Sequence, residues 1–265
     1  MGLSHSGSTV LDMLLTTGGK SVGLGQIWTV LREEPGQTRA RSCSCGKSAE
    51  ECPFWGPAIE RLAGLPAGAP FAERYQAVLD SVERLYGSEM AVIDSSKHAE
   101  YLDVLVNRIA NLDLAVLHNI KDVRAFTVST LDNLRRKSRK RSLPEKIFFQ
   151  WYRDNRAAYA LASRVLQRPL LRVMYEGVCL ATKAAVTHLA EGLGDDFIDL
   201  SKSLDCGHTH IIAGNRLRLP EGGKPKRLVY DARWMTRSEW LRPYVLMPMV
   251  RHYNESCLRD FAYVN

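Results

Sequence analysis

Apolar positions along the chain fall into two recurring patterns. Short runs of apolar and β-branched residues at 90–94, 114–119 and 170–175 predict strands buried on both faces, as in a parallel sheet. Longer segments with helical spacing cover 72–85, 101–109, 123–134, 145–166 and 178–193, and Gly194 is placed to cap the last of them. Strands alternating with helices predict an α/β fold of three layers, a central and mostly parallel sheet flanked by helices. The stretch 32–70 is rich in Gly, Pro and Cys and reads as an excursion of loop and short helix. Residues 219–227, with Pro220, Gly222, Gly223 and Pro225, read as a surface loop. Neither stretch divides the chain and no repeat is present, so residues 1–265 are expected to form a single domain.

Composition narrows the class without naming it. A chain of 265 residues, 45% hydrophobic and 25% charged, can bury a full core. No apolar run is long enough for a bilayer and no signal peptide is evident, so no stable membrane insertion is expected. Six cysteines in this length are too few for a disulfide scaffold and point to a reducing, cytoplasmic setting. The net charge of +7 favours an anionic ligand, but no zinc-finger, RRM or helix-turn-helix signature supports nucleic acid as the partner.

The strongest chemical signal lies at the start, in Gly2-Leu3-Ser4-His5-Ser6-Gly7-Ser8-Thr9, which runs into the apolar segment 10–15. Glycines flanking small hydroxyl residues before a helix turn backbone N–H groups and the helix dipole toward one point, which suits phosphate or sulfate. The spacing is that of a nucleotide P-loop, with Ser8 where the lysine should stand. That lysine neutralises a triphosphate, so its loss argues against a kinase or NTPase. A loop of this kind follows a strand, yet only Met1 precedes Gly2, so the sheet's first strand is expected to be missing from this sequence.

Two further segments end predicted strands in polar residues. Asp94-Ser95-Ser96-Lys97-His98 offers a point charge on Lys97 and a proton acceptor on Asp94 or His98. It reads equally as a helix cap by Ser95 or Ser96 with solvated neighbours. Lys121-Asp122-Val123-Arg124 is followed by Ser129, eight residues after the lysine. A serine two turns into a helix can join Lys121 around one phosphate; the plainer reading makes Asp122 a cap and Ser129 a packing residue.

In this order the three segments resemble the PAPS-dependent sulfotransferases of bacterial type. The matching residues are His5-Ser6-Gly7-Ser8-Thr9, Asp94-Ser95-Ser96-Lys97, and Lys121-Asp122-Val123-Arg124 with Ser129. Shorter matches are Cys43-Ser44-Cys45-Gly46, Cys52-Pro53-Phe54-Trp55, Met174-Tyr175-Glu176, and His210 to Asn215 with Arg218. The resemblance implies a P-loop-like sulfotransferase fold and transfer of a sulfuryl group from PAPS to a hydroxyl or amine. It implies that Ser4, Ser6, Gly7, Ser8 and Thr9 hold the 5′-phosphosulfate, and that Lys121 and Ser129, with Arg218, hold the 3′-phosphate. His5 and Lys97 would stabilise the transferring group, and Asp94 or His98 would take the acceptor's proton. No metal is expected. The alternatives are a P-loop nucleotide kinase or NTPase, and a non-catalytic nucleotide-binding relative. Three departures stand out: Lys121 replaces an arginine, Val123 a proline, and Gln26 a glutamate that has been a candidate base.

Weaker signals complete the reading. Cys43, Cys45, Cys52 and Cys206 lack finger spacing and are expected to be buried free thiols, ahead of a local disulfide or zinc. The basic run 135–141 reads first as a solvated face and second as an electrostatic funnel. Trp28, Trp55, Trp151, Tyr152 and Trp234 are expected to be core aromatics rather than acceptor-pocket walls. The acceptor, whether small molecule, glycan or lipid, and the oligomeric state leave no diagnostic motif.

Overall fold

The computed structural model describes residues 1–98, 100–109, 112–137, 142–166, 170–205, 207–220 and 226–263. In chain order the first elements are α1 (Ser8–Leu15), β1 (Ser21–Gly25), α2 (Ile27–Leu31), α3 (Pro35–Arg39), α4 (Trp55–Ala63), α5 (Phe71–Tyr86), β2 (Ala91–Asp94) and α6 (Glu100–Arg108). There follow β3 (Leu117–Ile120), α7 (Val123–Arg136), α8 (Pro144–Val165), β4 (Leu171–Met174), α9 (Tyr175–Leu180), α10 (Thr182–Leu193), β5 (His208–Thr209), α11 (Leu241–Leu246) and α12 (Pro248–Phe261).

The fold is mixed α/β, and every strand pairing is parallel. Among the described residues two small sheets stand in place of one central sheet, a three-stranded sheet in the order β2-β1-β5 and a two-stranded sheet of β3 and β4. The chain divides into two compact units. One comprises Met1–Ser8, Ala115–Gly192 and Leu228–Asn265; the other comprises Thr9–Leu114 and Leu193–Arg227.

In the first unit, β3 and β4 run in register from Leu117 beside Leu171 to Ile120 beside Met174. Parallel neighbours need a crossover, supplied here by α7 and α8. The core gathers Ile120, Val123, Phe148, Trp151, Met174 and Val250. Met1 behaves as a strand residue beside β3: its amine donates to Leu117 O at 2.6 Å, and Asn119 N donates to Met1 O at 2.8 Å. The helix expected over 178–193 is broken into α9 and α10. Ala181 leaves helical backbone angles at the break, and the Thr182 hydroxyl takes the Val178 carbonyl.

In the second unit, β1 is buried throughout and pairs with β2 through Val22–Val92 and Gly23–Ile93. Its core joins Val22, Leu24, Ile27, Trp55, Ile59 and Val78. The excursion at 32–70 holds the short helices α3 and α4, and Trp55 of α4 is completely buried in that core. Lys226, expected in a surface loop, is buried and its amine donates to Leu219 O at 2.7 Å; residues 221–225 lie outside the described residues.

Candidate functional site

The glycine-rich turn and the Lys121 corner belong to the same unit. Two left-handed residues shape the turn, His5 at φ 74° and Gly7 at φ 89°. Histidine takes that conformation only at a steric cost, so the surrounding contacts must hold it there. Those contacts are specific. Asn119 in β3 donates from Nδ2 to Ser6 O at 3.0 Å, and Ser6 N closes the turn onto Leu3 O at 3.2 Å. A side chain at Gly2 would meet Asn119 O at 2.5 Å, and one at Gly7 would meet the Tyr175 ring at 2.5 Å. Ser6 is buried, and its hydroxyl has no hydrogen-bond partner among the described residues. A buried hydroxyl without a partner costs about 1–3 kcal/mol, a deficit that an oxyanion would remove. Ser4 is exposed, and α1 opens at Ser8 with its first N–H groups lacking intrahelical acceptors.

Lys121 follows β3 directly and is only 5% exposed. Its amine donates to Ser129 Oγ at 3.3 Å, lies 4.7 Å from the centre of the Tyr175 ring and stands 3.6 Å from Asp231 Oδ2. Burial lowers its pKa even though Asp231 and Glu176 oppose the shift. Asp231 is held at about 2, first by hydrogen bonds from Arg233 and, beyond that, by the charge of Lys121. Asp122 caps α7, accepting from Arg124 N at 2.7 Å, and its carboxylate also grips the Arg124 guanidinium at 2.6–3.1 Å. That guanidinium lies 4.2 Å from the Trp234 ring centre and is walled by Trp240 and Tyr244. The capping role of Asp122 and the Lys121–Ser129 pair therefore coexist. Glu176, whose carboxylate accepts from Asp122 N at 3.1 Å, is pushed up to about 8 by burial.

The remaining sequence-derived residues belong to the other unit. Asp94 ends β2 and is saturated: Oδ1 accepts from Ser96 N at 2.8 Å and Ile27 N at 3.4 Å, while Oδ2 accepts from the Tyr101 and Tyr75 hydroxyls. Burial raises its pKa against these bonds. Ser96 is buried and accepts from Trp28 N at 2.9 Å, so its hydroxyl answers an N–H in the first turn of α2, a helix earlier in the chain. Lys97 is half-buried, with no ion pair or hydrogen bond among the described residues, and burial lowers its pKa to about 8. His98 is exposed, its ring 5.4 Å from Trp28. Thr9 is buried in α1. Arg218 spends its guanidinium on the carbonyls of Ser42, Ile211, Ile212 and Asn215 at 3.1–3.4 Å. It therefore acts locally as a backbone clamp.

Sequence reasoning passed over several functional groups. Asn119, Asp231 and Arg233 complete the Lys121 corner together with Tyr175, and of these four Tyr175 alone stood in a quoted match, Met174-Tyr175-Glu176. Asp12 lies in α1, buried against β1 where Gly23 leaves it room, and desolvation lifts its carboxyl to about 8. Trp55 and Trp151 are core residues as expected; Trp151 Nε1 donates to Lys121 O at 3.0 Å. In the basic run, Arg135 is exposed and pairs with Glu239 and Asp132; residues 138–141, like Cys206, lie outside the described residues. No described helix is long and apolar enough to cross a membrane. No protein-family model, curated protein or solved structure matches the chain.

Proposed function

We propose that the chain is a PAPS-dependent sulfotransferase of the cytoplasm, with a P-loop-like fold, whose nucleotide donor is gripped by the first unit at two anionic ends. One observation carries this reading: the turn and the Lys121 corner are wired to one strand. Asn119 holds Ser6 from β3, Lys121 follows two residues later, and the Tyr175 ring lies against both Gly7 and the Lys121 amine. The orphaned Ser6 hydroxyl in the glycine-rich turn suits the phosphosulfate. Lys121 and Ser129 suit the 3′-phosphate, which must displace Asp231 from the lysine.

In the reaction the acceptor oxygen or nitrogen bonds to sulfur as the bridging S–O bond breaks, and adenosine 3′,5′-bisphosphate leaves with the bond's electrons. Charge spreads over the peripheral oxygens, where fixed cations and N–H donors lower the barrier. The sequence resemblance gives that part to His5 and Lys97, and the Lys97 amine, its pKa lowered by burial to about 8, is still mostly protonated at neutral pH. Asp94 already accepts from four donors and orders its corner, so the acceptor's proton is assigned to His98. Calorimetry tests the donor site. Adenosine 3′,5′-bisphosphate should bind about tenfold or more tightly than the 5′-monophosphate, and equal affinities would remove Lys121 and Ser129 as a 3′-phosphate site. Transfer itself is read by mass spectrometry of a cell extract incubated with the protein and PAPS.

A further inference from the structure

Three cysteines and one histidine left aside by the nucleotide chemistry converge in the second unit. Cys43 and Cys45 lie on a tight turn closed by Cys43 N donating to Lys47 O at 2.8 Å and Gly46 N donating to Cys43 O at 3.1 Å, with Gly46 left-handed at φ 89°. Cys52 stands just before α4, and His210 just after β5. The ligand-capable atoms of all four residues lie within 4.8 Å of one another. Cys43 Sγ is 3.6 Å from Cys52 Sγ, and His210 Nδ1 is 3.2 Å from Cys52 Sγ and 3.9 Å from Cys43 Sγ. With Zn–S near 2.3 Å and Zn–N near 2.0 Å, tetrahedral geometry puts neighbouring ligand atoms about 3.4–3.8 Å apart. The observed separations bracket that spacing.

We propose that Cys43, Cys45, Cys52 and His210 bind one structural zinc ion through three thiolates and His210 Nδ1. Four protein ligands close the coordination sphere and leave no position for a reactive water, so the ion holds the fold rather than performing chemistry. The surroundings are those of a metal histidine. Its second nitrogen, Nε2, lies 2.6 Å from Tyr86 Oη, so with Nδ1 on the metal the ring donates its remaining proton to that phenol. The histidine's position is fixed on both sides: the Ser44 hydroxyl donates to Thr209 O and accepts from Ile211 N, each at 2.8 Å, and Trp55 Nε1 donates to His210 O. A hydrogen bond between backbone N–H and thiolate, from Trp55 N to Cys52 Sγ at 3.4 Å, completes the shell. Because His210 lies 158 residues beyond Cys52, the ion would tie the excursion at 32–70 to the end of β5 across a very long loop. Binding takes three thiolates, so each zinc taken up from thiols releases their protons.

The test uses the full chain, purified without chelator from zinc-supplied cells. Plasma mass spectrometry should find one zinc per chain, and X-ray absorption at the zinc edge should fit three sulfur neighbours and one nitrogen. Cys45→Ser, at the exposed ligand, should retain at least about tenfold less zinc against a competing chelator, and Tyr86→Phe should weaken retention by about tenfold. Cys179→Ser, outside the cluster, should retain zinc as the unaltered protein does. Zinc-free protein from metal-replete cells, a shell of only nitrogen and oxygen, or undiminished zinc in Cys45→Ser would overturn the assignment. So would a chain lighter by two hydrogens with Cys43 and Cys52 linked. Should Cys45→Ser fail to fold, the absorption spectrum of the unaltered protein and Tyr86→Phe still decide. The inference is independent of the nucleotide reading, since none of its residues takes part in the bisphosphate calorimetry.

Discussion

Two lysines close two parallel strands, and their surroundings differ in kind. Lys121, after β3, is buried over an aromatic ring with a serine and an aspartate at its amine. Lys97, after β2, has burial but no partner of either sort among the described residues. In the first, a carboxylate already stands against the amine, and under the proposed reading a ligand phosphate exchanges for it. In the second, nothing compensates the charge, and the amine sits close to losing its proton at physiological pH. The first environment suits holding an anion; the second suits a charge needed only while a reaction passes. The lesson is that an unpartnered half-buried cation says more about chemistry than a buried ion pair does.

The largest test of this contrast is Lys97→Met, which should lower the transfer rate about a hundredfold while leaving bisphosphate affinity unchanged. If transfer proceeds as proposed, the unaltered protein should lose rate as pH rises through about 8, whereas Lys97→Arg should keep its rate at higher pH. Stability moves the other way: between pH 8 and 10.5 the folded amine has lost a proton that the unfolded chain retains, so the fold gains stability with pH in that window. A flat rate profile and an active Lys97→Met would break the contrast. Next, Lys121→Met should weaken adenosine 3′,5′-bisphosphate by about 10- to 100-fold and hardly affect the 5′-monophosphate. Asp231→Asn should strengthen bisphosphate binding by about two- to fivefold, because the internal competitor for Lys121 is gone; weaker binding would mean that Asp231 positions the lysine instead. A last test concerns stability rather than binding, where α1 packs on β1. Asp12 stays protonated up to about pH 8 when folded but ionises near 3.8 when unfolded, so stability falls across that interval by about 1.4 kcal/mol per pH unit. Asp12→Asn should remove this slope in thermal melts and leave the acid-side melting temperature nearly unaltered.

Much of the scaffold was legible because burial dictates pattern. The strands β2, β3 and β4 and the helices α5 to α8 lie where apolar runs and helical spacing put them. The strand β1 escaped notice because Ser21–Gly25 carries two glycines, and one of them, Gly23, has no side chain for a reason the sequence hides: Asp12 presses on that position. Only two residues long, β5 is below what periodicity can register. The turn and the pairing of Lys121 with Ser129 could be read from spacing, since both are local. Asn119 could have been suspected from its place in the strand, but Asp231 reaches Lys121 from a distant stretch without regular structure. The convergence of Cys43, Cys45 and Cys52 on His210 was hidden for the same reason. The cysteine pattern looks unlike a finger until His210, far along the chain, is added.

Arg218 shows how a stretch without sheet or helix can still be kept from wandering. Its one planar side chain offers a fork of fixed donors to carbonyls from two remote chain segments, Ser42 and the run from Ile211 to Asn215. A lysine there would keep the charge and lose the fork, leaving most of those oxygens to seek water. An exchange that substitution tables rank as mild should therefore loosen this part of the protein.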